Sequence, residues 1–118
     1  MVTKYALKYG KNNIEIIIKN KISNFEYMFK DCISLKNIEG LHYLDTSDGN
    51  NFSNMFCNCS SLSEIKPLQN WNVSNGINFS LMIYHCLPLS DIKALENWNV
   101  SNGNNFHICS IIALFYQI

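Results

Sequence analysis

Three cysteines, Cys32, Cys59 and Cys86, stand 27 residues apart, and Cys57 forms a Cys57-x-Cys59 pair with one of them. Thiols at a fixed spacing could bridge or hold a soft metal. The pair has one intervening residue where zinc and redox pairs have two, however, and no second pair follows it. Equivalent positions on successive coils lie about 4.8 Å apart when strands stack, and free cysteine is among the most buried residue types, so the column reads as a packing ladder. With Cys109 the set is odd, and free thiols are expected rather than a disulfide framework. His42, His85 and His107 fall in different phases of the 27-residue step and cannot line one stacked site. No glycine-rich phosphate loop, Ser-His-Asp arrangement or matched acid and base appears, so the chain is read as non-catalytic, with no cofactor and no metal.

Charged residues offer one candidate site. Glu64 and Asp91 share a column with Asn37, and Lys66 and Lys93 share one with Glu39. If a strand presents alternate residues outward, these six form two adjacent polar rows, the candidate partner-binding face. Trp71 and Trp98 are equivalent to Leu44, which assigns them to packing rather than to an exposed hot spot. Five Asn-x-Ser sequons, at Asn51, Asn58, Asn72, Asn78 and Asn99, are ascribed to composition, because Asn is so frequent.

The element that positions these residues is a repeat. Phe25, Phe52, Phe79 and Phe106 keep the 27-residue step, as do Met28, Met55 and Met82. So do Leu35, Leu62 and Leu89; Ile38, Ile65 and Ile92; Leu41, Leu68 and Leu95; and Gly49, Gly76 and Gly103. The units are 22–49, 50–76 and 77–103, and the start of a fourth extends to Phe106. A period of 27 lies within the leucine-rich window, which predicts a solenoid with a short parallel β-sheet, one strand per coil, and turns or short helices opposite. The strands are placed at 35–40, 62–67 and 89–94, with a helical or 3₁₀ turn over each Phe-x-x-Met stretch. The glycines are expected to close each unit with positive φ. Residues 1–21 alternate, with Tyr5, Leu7 and Tyr9 before Gly10-Lys11-Asn12-Asn13 and Ile14, Ile16 and Ile18 after it. They predict a β-hairpin serving as the N-terminal cap.

Composition excludes several classes. The 118 residues carry zero formal net charge, with 15% charged residues and no Arg, which argues against nucleic-acid binding. No run approaches the roughly 18 apolar residues of a transmembrane helix. The N-terminus has no apolar signal segment, so the chain as written is expected to stay inside the cell, with surface display requiring an upstream signal. Eighteen Asn, 15 Ile and no Arg indicate a gene rich in A and T.

The stretch Asn50-Asn51-Phe52-Ser53-Asn54-Met55-Phe56-Cys57-Asn58-Cys59-Ser60-Ser61-Leu62, followed by Trp71-Asn72-Val73-Ser74-Asn75, resembles the BspA-like leucine-rich repeat and its allied surface-protein form. The resemblance covers about 22–106. It implies a solenoid used as a binding or adhesion surface, often displayed outside the cell, without catalysis. Departures are Met82-Ile83-Tyr84 in place of the Met-Phe pair and Pro88 where serine is typical.

Residues 107–118 form an aberrant apolar tail. Back-translated with A/T-rich codons and read from the last base of the Phe106 codon, they yield SYMFNNCSFLSD, which is the missing repeat. The tail therefore reads as frame-shifted, leaving an uncapped end open to self-association. The expected function is a non-catalytic interaction or adhesion module binding a protein or glycan through its strand face. The alternative is a truncated fragment of a longer repeat surface protein with no independent function.

Overall fold

The structure is a computed structural model and describes residues 3–9 and 12–103, with side chains from Glu15 onward. Alternating apolar residues form two strands, β1 (Thr3–Tyr9) and β2 (Asn12–Ile18), paired antiparallel from Thr3 opposite Ile18 to Tyr9 opposite Asn12. On β2, Ile16 and Ile18 pack against the core while Ile17 faces outward, as a period of two requires. A third strand, β3 (Leu35–Asn37), pairs antiparallel with the other edge of β1, so the sheet order is β2-β1-β3. The hairpin thereby attaches to the first repeat unit through Lys8 opposite Asn37 and Tyr9 opposite Leu35.

The expected strand in every unit is not found. Among the described residues, 62–67 and 89–94 contain no strand, and β3 pairs antiparallel rather than parallel. Each stretch instead leads into a 3₁₀ helix, at Glu39–Leu41, Lys66–Asn70 and Lys93–Leu95. The cause is the apolar spacing. Leu62, Ile65, Leu68 and Trp71 recur every third residue and all are buried, whereas a strand would send alternate ones to solvent; the 3₁₀ helix, at three residues per turn, forms the Lys66–Asn70 part of this run. Asn37 and Asp91 each accept the backbone N–H of the residue two ahead at 2.8 Å, which starts the first and third helices. The second has Pro67 near its start, where a fixed φ and a missing N–H cost nothing.

The units are tied together on the opposite side, over the Phe-x-x-Met stretch. This is a run of tandem turns rather than a helix. The N–H groups of Met28, Lys30 and Cys32 bond back three residues, to the carbonyls of Phe25, Tyr27 and Phe29. Those of Phe25, Tyr27, Phe29 and Asp31 cross to the carbonyls of Asn51, Ser53, Met55 and Cys57 in the next unit. Glu26 N–H goes to Asn24 Oδ1, so every amide from 25 to 32 has a partner. The second unit repeats the pattern, with Phe52, Asn54, Phe56 and Asn58 donating to Asn78, Ser80, Met82 and Tyr84. Parallel bridges join Asn24 to Asn51 and Asn51 to Asn78.

Inside, equivalent side chains lie on one another. Phe25, Phe52 and Phe79 stack with nearly parallel rings and centroids 5.1 and 5.3 Å apart, Phe29 stacks on Phe56 at 5.2 Å, and Trp71 on Trp98 at 6.3 Å. With the Leu, Ile and Met columns they form one hydrophobic cluster. Among the described residues no buried side-chain nitrogen or oxygen lacks a partner.

The glycines serve this packing, which corrects the expectation of positive φ. None of Gly49, Gly76 and Gly103 has φ in the left-handed region. A Cβ on Gly76 would overlap the Phe79 ring and stand 2.9 Å from Val73 O, and one on Gly49 would overlap Phe52. At 49 and 76 glycine is there because the stacked ring occupies the space of a side chain, whereas a Cβ on Gly103 would meet Val100 O at 3.1 Å.

Candidate interaction face

Of the six candidate residues, Glu39, Glu64, Lys66, Asp91 and Lys93 are exposed and Asn37 is half-buried. They do not form strand rows. Asn37 ends β3, Glu39, Lys66 and Lys93 each open a 3₁₀ helix, and Glu64 and Asp91 precede the helices by two residues. Glu64, Lys66, Asp91 and Lys93 come together around a surface depression of about 320 Å³, with Ser63, Ile65, Gln69 and Ala94. Asn37 and Glu39 do not line it. Sequence reasoning missed Ser63 and Gln69, because a strand reading sends residue 63 to the opposite face from 64.

The depression exists because two units meet there without backbone pairing. Among the described residues no backbone hydrogen bond joins 62–65 to 89–92, in contrast to the ladder on the far side. None of the four charged groups forms an ion pair with another described residue; the ion pairs present are Lys21 with Asp45 at 3.6 Å and Asp48 at 3.7 Å. Two ammonium groups and two carboxylates therefore stand in solvent around a shallow floor containing Ile65 and Ala94.

The described thiols are held protonated by their surroundings. Cys59 Sγ–H donates to Phe29 O and Cys86 Sγ–H to Phe56 O, both at 3.1 Å and both reaching into the preceding unit. Burial pushes the Cys59 thiol up to about 12 and the Cys86 thiol to about 11, and it also raises Cys32 and Cys57. A nucleophilic cysteine needs the opposite shift. Among the described residues no group of three or more His, Cys, Asp and Glu side chains is placed to hold a metal ion.

Trp71 is buried and Trp98 half-buried, and each indole N–H donates at 2.9 Å to a carbonyl of the preceding unit, Leu41 O and Leu68 O. His42 lies 3.4 Å from Asn70 Nδ2 and edge-on to Tyr43, whereas His85 packs beside Tyr84. These two histidines are in separate places; His107, Cys109, Phe106 and the tail 107–118 lie outside the described residues.

The Asn-x-Ser sequences have a local physical cause beyond composition. In four of them, Asn51, Asn72, Asn78 and Asn99, the asparagine Oδ1 accepts both the N–H and the hydroxyl of the serine two ahead, at 2.7 to 3.1 Å. Asp45 and Ser47 make the same turn in the first unit, and the Ser47 hydroxyl and N–H hold the Asp45 carboxyl below its ordinary range. The pattern is a side-chain-closed turn used again in each repeat.

Among the described residues no helix is long and apolar enough to cross a membrane. No curated protein and no solved structure matches the chain. A family model described as "Mycoplasma protein of unknown function, DUF285" matches residues 2–113, which takes in the hairpin and all three repeat units. The chain belongs to that family.

Proposed function

We propose that the chain is a non-catalytic interaction module of leucine-rich-repeat type, similar to the BspA-like repeats, that binds a protein or a glycan through the face around Glu64, Lys66, Asp91 and Lys93. The observation that carries this reading is the depression itself, where four charged side chains surround a part-apolar floor at a junction left without backbone pairing. Charges standing free of one another can meet complementary charges on a partner, and such groups set specificity and association rate. Zero net charge and the absence of Arg speak against nucleic acid as that partner. Repeat proteins present ligand faces in this way, with specificity in side chains that the core does not use.

The test pairs the wild-type chain with the double variant Lys66→Glu, Lys93→Glu on peptide and glycan arrays, with thermal unfolding measured alongside. Reversal of both lysines is expected to weaken binding by at least about tenfold, while Tm falls by no more than about 4 °C and the protein stays folded, as for exposed charges. Array binding that is equally strong in both proteins would overturn the assignment of this face.

A further inference from the structure

Two Asn-Gly dipeptides, Asn75-Gly76 and Asn102-Gly103, stand at equivalent positions. Each is there for structural reasons that have nothing to do with the other residue of the pair. Gly76 is required because a Cβ would overlap the Phe79 ring. Asn75 is used because its Nδ2–H donates to Ser47 O of the preceding unit at 2.8 Å, and Asn102 repeats the bond to Ser74 O at 2.7 Å. In the first unit the column holds Asp48, whose carboxylate lies 3.7 Å from Lys21 Nζ. The amide appears where a carbonyl of a preceding unit has to be met.

Asn followed by Gly is also the dipeptide in which a side-chain amide is most readily lost, since the glycine nitrogen approaches Cγ with no side chain in the way. We infer that Asn75 and Asn102 are spontaneous modification sites whose conversion to aspartate unlatches neighbouring repeat units. The backbone nitrogen of Gly76 attacks Asn75 Cγ and gives up its proton, the Cγ–Nδ2 bond breaks, and ammonia leaves a five-membered succinimide. Water then opens the ring to aspartate or isoaspartate. There is no change of oxidation state, and water is the only co-reactant. Both side chains are exposed, so water reaches them.

The native geometry opposes the first step and is damaged by the product. Nδ2 is held by Ser47 O, and the Gly76 N–H is held by Val73 O at 2.8 Å, so the attacking nitrogen and the leaving group are both engaged until the turn opens. Once formed, a carboxylate at 75 has no proton to offer Ser47 O and sets like partial charges against each other. Modification therefore starts in a locally opened chain and makes the next opening easier.

Two measurements on the full chain test this. Incubated at mildly alkaline pH, native protein and protein in denaturing urea are digested and the peptides holding Asn75 and Asn102 are weighed. The mass gain of one unit is expected at least about tenfold faster in urea, the factor that one or two engaged hydrogen bonds set. Separately, Asn75→Asp and Asn102→Asp are expected to lower Tm by about 3–6 °C each, the shift that follows loss of one such bond in a domain of this size. The control Asn97→Asp, in the exposed turn before Trp98, is expected to stay within about 2 °C, as surface changes do. If Asn75→Asp does not fold, Asn102→Asp at the outer junction provides the reading. Equal rates in native buffer and urea, or Asp variants as stable as wild type, would overturn the inference.

Discussion

At the scale of single residues, the columns are occupied by types that do two jobs at once. Cysteine and tryptophan fill core volume and also donate to a carbonyl 30 residues earlier, so burial leaves their polar atoms satisfied. Gly76 shows the reverse economy, in which the absence of a side chain makes room for Phe79. Gly76→Ala is therefore expected to lower stability by roughly 1–3 kcal/mol through overpacking, measured by urea unfolding. A second residue-scale prediction concerns alkaline pH. Unfolded, the Cys59 thiol ionises near its ordinary 9.0, whereas in the fold it keeps its proton to about 12. Above pH 9 the unfolded state binds fewer protons, so this contribution is complete below about pH 9 and is lost as pH rises toward about 12. Tm followed from neutral to alkaline pH should fall less steeply in Cys59→Ala than in the wild type, relative to each protein's own neutral value.

At the scale of the element, the tandem turns hold the least expected geometry. Positive φ occurs at Tyr27 and Asp31, at Asn54 and Asn58, and at Leu81 and His85, which are the third positions of the turns 25–28 and 29–32 and their equivalents. Turns of type II require φ above zero at that position, and Asn tolerates it better than Leu. The middle unit meets the demand with Asn54 and Asn58, while the third places a 40% exposed Leu81 there. Leu81→Asn is accordingly expected to stabilise the protein by about 1 kcal/mol, raising Tm in a thermal melt. An unchanged or lower Tm would mean that Leu81 packing outweighs its backbone strain.

At the scale of the whole molecule, no unit holds its own core. Rings stack between units, backbone amides cross between them on one side, and β1 closes the first unit by pairing with β3. Stability then depends on neighbours, and the middle unit supports both others. Leu62, fully buried there, is the position to probe. Leu62→Ala is expected to cost roughly 2–5 kcal/mol in urea unfolding, a large part of what a small array has. Stability equal to wild type would show that the column contributes little.

The 27-residue step and the identity of the apolar columns are enough to assign Phe25, Phe52, Phe79, Leu62 and Trp71 to the interior, because equivalent side chains in a repeat meet equivalent surroundings. The alternation of Ile14, Ile16 and Ile18 likewise suffices for a strand. Which side of each unit would carry the hydrogen bonds was not legible. Leu62, Ile65 and Leu68 at every third residue fit a 3₁₀ helix better than a strand, but the side on which units exchange backbone hydrogen bonds, at Phe52–Asn58, is set by tertiary stacking. The site followed the same division. Charge at 64, 66, 91 and 93 is written in the chain, but the depression arises from two units touching without backbone pairing, and the role of Gly76 arises from a ring three residues on whose position packing sets. Local periodicity is a property of the sequence; contact between units 27 residues apart is decided by tertiary stacking, since side-chain space and carbonyl partners exist only once the neighbouring unit is in place.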